Sequence, residues 1–293
     1  MPTFIDEAFL QRLANLRFIV KGRRKGHLAG LHASPRAGVS LEFADYREYA
    51  PGDDFRYIDW NVFGRLDRLL VKTYVHEADL PIHLLVDLSA SMQIGVPSKS
   101  NYAAHLAAAM AYLGLRGLDR VGLFPFTDHL ISGLPARHGM GQMGKILRHL
   151  RDVEPGGGTS IQQAILDFVS QTRESGLTIL ISDFLAAGAG FADGLARLRY
   201  RGDEVILLQV LDPEDLAPHA AGMTQLVDIE SSRHATLTIG PRTIEEYSAR
   251  IRRNLDHLQS LSFERGIPYF RTTTDIPIER FLHVDLRNGG LLR

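Results

Sequence analysis

The chain has 293 residues, 45% of them hydrophobic, and a formal net charge of −1. That length carries one large domain with an appendage, or two domains. The balanced charge gives no reason to expect nucleic acid or an anionic lipid surface as partner, and a sequence without cysteine excludes disulfides, thiolate zinc sites and cysteine nucleophiles. The first residues, Met1-Pro2-Thr3-Phe4-Ile5-Asp6-Glu7, lack a basic flank followed by an apolar core, so no signal peptide is expected. The most apolar helical stretch, residues 103–115, is shorter than the roughly 20 residues that span a bilayer. These features predict a cytoplasmic protein with no direct membrane insertion.

In chain order, Phe4, Phe9, Leu10, Leu13, Leu16 and Phe18 fall near helical spacing and predict one amphipathic helix over residues 4–20. The basic run Lys21-Gly22-Arg23-Arg24-Lys25-Gly26 has no interleaved aromatics and reads as a solvated loop. Next come Leu41, Phe43, Tyr46 and Tyr49, a turn at Pro51-Gly52-Asp53-Asp54, then Phe55, Tyr57, Ile58, Trp60, Val62 and Phe63. Short strands and turns are expected here, closing with a strand over residues 69–75. In this small β-rich unit Arg47, Asp53, Arg56 and Asp59 are expected to pair while Trp60 fills a core.

Residues 82–86 are a near-continuous apolar run of strand length, with His83 inside it. A run with no polar face reads as a central strand covered on both sides. A helix of high propensity follows over residues 100–115, ended by Gly117. Strand 120–126, an antiparallel edge strand within 127–135, and helix 141–150 come next. Beyond the glycine-rich loop 156–160 lie helix 160–173, strand 177–183, helix 191–200 and strand 204–211. A hairpin over 226–230 and 235–239, helix 243–265, strand 267–272 and a terminal helix over 277–284 complete the chain. Strands alternating with helices predict an α/β fold, a doubly wound, mostly parallel central sheet with helices on both faces. This domain is assigned to residues 80–293. The N-terminal helix and β-rich unit are assigned to residues 1–79.

Ligand sites of such sheets lie beyond the carboxyl ends of the strands, and there the sequence places oxygen-bearing side chains. Asp87, Ser89 and Ser91 follow the first central strand, and Asp183 closes strand 177–183. Oxygen-only ligands suit hard divalent cations. Each residue also has a plain structural use. Thr159 stands at capping-box spacing from Gln162, the serines can cap turn amides, and Asp183 can orient a loop. The twelve histidines show no helical ligand spacing beside a glutamate, which disfavours a zinc hydrolase. The loop Gly156-Gly157-Gly158-Thr159-Ser160 lacks the lysine of a phosphate-binding loop.

Two resemblances attach to these motifs. Asp87-x-Ser89-x-Ser91 after a buried strand, then Thr159 in the glycine-rich loop, then Asp183 after a later strand, resemble the metal-ion-dependent adhesion site of von Willebrand factor A (vWA) domains. The run Leu41-Glu42-Phe43-Ala44-Asp45-Tyr46-Arg47-Glu48-Tyr49-Ala50-Pro51-Gly52-Asp53-Asp54, with Arg56-Tyr57-Ile58-Asp59-Trp60, resembles the signature of the bacterial domain-of-unknown-function family fifty-eight. Its members join this segment to a vWA-like domain. Together the resemblances imply a non-enzymatic adaptor. Asp87, Ser89, Ser91, Thr159 and Asp183 would hold a divalent cation, Mg²⁺ first and Mn²⁺ or Ca²⁺ otherwise, whose open position takes an acidic side chain of a partner. That partner is implied to be a MoxR-type AAA+ ATPase, with assembly or remodelling of protein complexes as the task. The alternative is a Mg²⁺-dependent phosphohydrolase using the same site, with His129 or His138 as the proton-transfer group.

Overall fold

The structure is a computed structural model that describes residues 9, 12–13, 15–19, 25–27, 42–50, 55, 58–77, 81–188, 190–217, 222–227 and 234–293. The chain divides into two compact units, Lys21–Asp79 on one hand and Met1–Val20 with Leu80–Arg293 on the other. The sequence reading kept residues 1–79 together, and the difference has a packing cause. Leu13 and Leu16 belong to the same buried cluster as Leu286 and Leu292. Phe18 forms an antiparallel bridge with Leu292, and Arg17 and Arg293 exchange backbone hydrogen bonds of 3.1 and 3.0 Å. Phe18 is therefore extended, and the helix expected over residues 4–20 does not run through it. The start of that expected helix lies outside the described residues.

The smaller unit is a three-stranded antiparallel sheet of β1 (Lys25–His27), β2 (Glu42–Glu48) and β3 (Leu70–Glu77), with β3 in the middle. Lys25 and Gly26, expected in a loop, are in β1, and residues 21–24 lie outside the described ones. Between β2 and β3 the sequence reading expected strands, but Trp60–Leu66 is a helix. Asp59 decides this locally. Its Oδ1 accepts the backbone N–H groups of Asn61 and Val62 at 3.0 and 3.3 Å, and its Oδ2 accepts the Tyr46 hydroxyl at 2.8 Å. A carboxylate there satisfies orphan donors and suits the positive end of the helix. Trp60 is 59% exposed and does not fill a core; it meets Phe63 edge-on. The expected turn 51–54, Arg56 and the Arg47 side chain lie outside the described residues. Asp59→Ala is expected to cost this helix about 1–2 kcal/mol. Faster amide exchange at Val62 and Phe63 would register the loss, and Asp59→Ser should restore most of it.

The larger unit is an α/β fold on a six-stranded sheet. Its strands are β4 (Pro81–Asp87), β5 (Arg120–Phe126), β6 (Leu134–Arg137), β7 (Leu177–Ser182), β8 (Glu204–Leu211) and, beyond the separate hairpin β9 (Gly222–Val227) and β10 (His234–Ile239), β11 (Tyr269–Thr273). Their spatial order is β11-β8-β7-β4-β5-β6. All neighbours are parallel except the β5–β6 pair. At the β6 edge Gln142 Nε2 donates to the carbonyls of Val121 and Pro135, both at 3.1 Å.

Period-two burial explains why the central strands have no polar face. Ile82, Leu84 and Val86 of β4 pack with helices Lys99–Arg116 and Gly141–Asp152 and with the terminal helical segment Ile278–Leu286. Leu85 points to the opposite face, with helices Ile161–Gln171, Phe191–Arg201 and Pro241–Glu264. The alanine-rich helix Lys99–Arg116 lies close on the sheet. A Cβ on Gly114 would stand 2.8 Å from side-chain carbons of both Ile82 and Val121, so any larger residue would push those side chains out of place. His83 is the polar exception inside β4. It is 2% exposed, and its ring packs edge-on against Phe124 and Phe168 at 5.7 and 5.1 Å. Among the described residues neither ring nitrogen has a hydrogen-bond partner within bonding geometry, and burial pulls its pKa down to about 4.

The connections give the sheet its functional point. The chain leaves β4 through helix Lys99–Arg116 on one face and leaves β7 through helix Phe191–Arg201 on the other. Loops after these neighbouring strands therefore diverge, which opens a crevice at their carboxyl ends.

Candidate functional site

Asp87 ends β4 and Asp183 directly follows β7, so the crevice has a carboxylate on each lip; the two are 0% and 1% exposed. Their neighbours fix them. Asp87 Oδ1 accepts the Ser89 backbone N–H at 2.9 Å and its Oδ2 accepts the Ser182 hydroxyl at 2.6 Å. Asp183 Oδ1 accepts the Leu185 N–H at 3.0 Å, and its backbone carbonyl accepts Gln209 Nε2 at 2.6 Å. Asp183 thus does orient its loop, as its plain structural use suggested.

The two serines stand beside Asp87. Ser89 begins the turn Ala90–Gln93 but makes no side-chain cap bond; its hydroxyl instead lies 3.2 Å from that of Ser91. The glycine-rich loop is tied to this turn by its backbone. Gly156 N–H donates to Leu88 at 2.8 Å, Ala90 N–H donates to Gly157 at 3.0 Å, and Gln93 Nε2 donates to Pro155. Gly157 sits at φ +78°, a left-handed conformation that favours glycine. Thr159 follows, half-buried, and is not the helix cap. That place belongs to Ser160, whose hydroxyl accepts the Gln163 N–H at 3.4 Å. The loops bearing Asp87, Ser89, Ser91, Thr159 and Asp183 thus converge on one edge of the sheet.

Three residues that the sequence reading did not single out complete this edge. Lys99, 1% exposed, donates from Nζ to Asp183 Oδ2 at 2.8 Å and to Asp215 Oδ2 at 3.0 Å. Asp215 Oδ2 also accepts the Asp212 N–H at 2.9 Å, within a capping box that opens the short helix Pro213–Leu216. Asp212 follows β8 as Asp183 follows β7, so an apolar strand ending in aspartate was a signal available a third time. Lys99 gave no such signal. Its partners are 84 and 116 residues away.

The electrostatics of the edge are lopsided. Asp87, Asp183, Asp212 and Asp215 are buried, and among the described residues Lys99 is the one buried lysine or arginine. Burial, and then the charge of Asp183, push the Asp87 carboxyl up to about 6. Lys99 is held above its usual range, the two aspartates outweighing its burial. Burial, followed by Asp215, also raises the half-exposed Tyr247 phenol. Two carboxylates beside hydroxyl oxygens, short of positive charge, are a donor set that fits a hard divalent cation. Among the described residues no three His, Asp or Glu side chains gather as a ligand cluster, so any cation here would lean on hydroxyls as well as on Asp87 and Asp183. His129 lies beyond β5 near Asp167, at 3.7 Å. His138 bonds the Leu118 carbonyl at 3.1 Å, at the amino end of β5 and so at the opposite edge from Asp87. It is not placed to serve the site. No helix among the described residues is long and apolar enough to cross a membrane.

Comparison with known proteins gives a family and a set of relatives. The family described as "Protein of unknown function DUF58" matches residues 45–257. Uncharacterized proteins of Mycobacterium bovis and Mycobacterium tuberculosis are each 29% identical over 248 residues, 83% of this chain and 78% of theirs. Among solved structures, a conserved hypothetical protein BatB from Bacteroides thetaiotaomicron aligns at TM-score 0.45 and 17% identity, over 72% of this chain and 98% of its own. An aerotolerance-related membrane protein from Bacteroides fragilis aligns at 0.44 and 17%, over 71% and 99%. The pilus adhesin SpaC from Lactobacillus rhamnosus GG aligns at 0.43 and 14%, over 73% and 31%.

Proposed function

The chain belongs to the DUF58 family, proteins of unknown function, and from that premise we propose that it is a protein-binding module and not an enzyme. On this reading the larger unit is a vWA-like domain with a metal-ion-dependent adhesion site. Asp87, Ser89, Ser91, Thr159 and Asp183 hold a divalent cation, Mg²⁺ foremost, and an aspartate or glutamate of the partner completes the site. The partner is a MoxR-type AAA+ ATPase, met in the cytoplasm, and the task is assembly or remodelling of protein complexes.

One observation carries the reading. Asp87 and Asp183 stand buried on facing lips of the crevice, and burial, reinforced by the charge of Asp183, lifts Asp87 to about 6, above the ordinary carboxylate range. Folding two like charges together in a dry site is costly. A cation bound there would supply the missing positive charge and a bridge to an incoming carboxylate. The protein's own part is to hold the oxygens still. Ser182 and the Ser89 amide orient Asp87, the Leu185 amide orients Asp183, and the backbone ties of Gly156 and Gly157 keep the Thr159 loop in place. The test is capture of a MoxR-type ATPase on the immobilised chain. Capture should be lost in EDTA, restored by Mg²⁺, and absent with Asp87→Ala. Capture that is indifferent to EDTA and to Asp87→Ala would sink the bridging mechanism.

A further inference from the structure

We propose that Lys99 is a resident counter-cation that competes with the divalent ion for Asp183, and that its second acceptor, Asp215, transmits the ion's arrival to the segment Asp212–Leu216. The proposal rests on the cation-binding reading of the site given above.

The position of Lys99 is the first ground. It is the first residue of the 18-residue helix Lys99–Arg116. The amino end of a helix carries partial positive charge and disfavours a cation. Burial of an ammonium adds a second penalty. Nothing local favours a lysine there; Asp183 and Asp215 supply the whole compensation, at 2.8 and 3.0 Å. A residue that breaks two local rules and is held by two distant carboxylates marks a functional constraint.

The engagement of Asp183 is the second ground. Oδ1 holds the Leu185 amide and Oδ2 holds Lys99. A carboxylate has further lone pairs to offer, but an ion that uses them faces the ammonium at close range. The ion is accommodated when the ammonium leans away. Asp215 is already in contact, so the ammonium shifts between two bound acceptors and never enters apolar surroundings unpaired. Asp215 Oδ2 also accepts the Asp212 amide that opens the helix Pro213–Leu216, and Asp212 Oδ2 accepts the Thr274 hydroxyl at 3.1 Å. A tighter Lys99–Asp215 pair therefore acts on the start of that helix.

The experiment is calorimetric titration of the full chain with MgCl₂ and MnCl₂, alongside hydrogen exchange at residues 212–216 with and without the ion. Lys99→Met should bind the ion about tenfold or more tightly. Asp215→Asn should bind about tenfold more weakly, because Lys99 then leans on Asp183 alone; these are the sizes expected for one nearby charge in a partly screened site. The ion should alter exchange at 212–216 in the wild type and leave it unaltered in both variants. Opposite affinity shifts with loss of the exchange response support the proposal. Wild-type affinity in both variants, shifts in the same direction, or an exchange response that survives in either variant overturns it while leaving the cation site intact. A wild type that binds neither ion overturns the site reading and this proposal together. Should Lys99→Met fail to fold, Asp215→Asn decides: weaker binding without the exchange response supports, and any other result overturns.

Discussion

Asp87→Asn, unfolded by urea at pH 8 in EDTA, is expected to be more stable than the wild type by about 2–3 kcal/mol. The sign follows from the direction of the shift. Asp87 is raised from its usual 3.8 to about 6 in the folded protein. The native state therefore binds the proton more tightly than the unfolded chain does. Its contribution to stability is fully present below about pH 3.8 and is lost as pH rises through about 6, after which a buried charge is carried at full cost. Asparagine carries no charge to bury. Its carbonyl can keep the Ser89 amide, and its NH₂ can donate to the Ser182 hydroxyl, so the hydrogen-bond loss is about 1 kcal/mol or less. The advantage over the wild type should vanish near pH 4. The same variant should show no rise in stability with Mg²⁺, whereas the wild type should gain about 2.7 kcal/mol when the ion is a hundredfold above its dissociation constant. A variant less stable than the wild type at pH 8 would show that Asp87 does not carry the burial cost and repulsion described.

His83→Phe is expected to remove an acid sensitivity of about 3 kcal/mol. Burial lowers His83 from 6.5 to about 4, so the unfolded chain takes up a proton that the native protein refuses. The wild type then loses stability as pH falls from about 6.5 to about 4, and phenylalanine, seated edge-on between Phe124 and Phe168, does not. This slope runs opposite to that of Asp87 over nearly the same interval. In EDTA the two largely cancel, and each variant unmasks the other. Stability of Asp87→Asn should climb with pH across the interval, and that of His83→Phe should decline. Denaturant midpoints measured at half-unit steps of pH decide this. Parallel slopes in the two variants would refute the account.

What the sequence made legible was whatever a strand announces locally. The nearly all-apolar runs of β4 and β7, and the aspartates that close them, gave both the centre of the sheet and the two carboxylates of the crevice. The glycine-rich loop was legible as a loop, and Gly157 at positive φ is the kind of residue that advertises itself. Trp60 was misread because Phe55, Ile58, Val62 and Phe63 suit a strand as well as a short helix; the arbiter is one hydrogen-bonding carboxylate, Asp59, supported by Tyr46 from a different strand. Phe18 was misread because its partner, Leu292, is at the other end of the chain. Lys99 was passed over for the same reason. Helical propensity tolerates it, and only the meeting of three distant strand ends makes it the counter-charge of the site.

One of the two edge strands of the large sheet is also poorly suited to the attachment of other chains. β6 is four residues long, and Pro135 within it has no N–H to offer, while its carbonyl is already occupied by Gln142. An edge so short, with a gap in its donor row and an acceptor spoken for, is a poor template for a foreign strand. Sheet-to-sheet polymerisation from that flank is thereby suppressed, and copies of the protein can crowd together without zipping onto one another there.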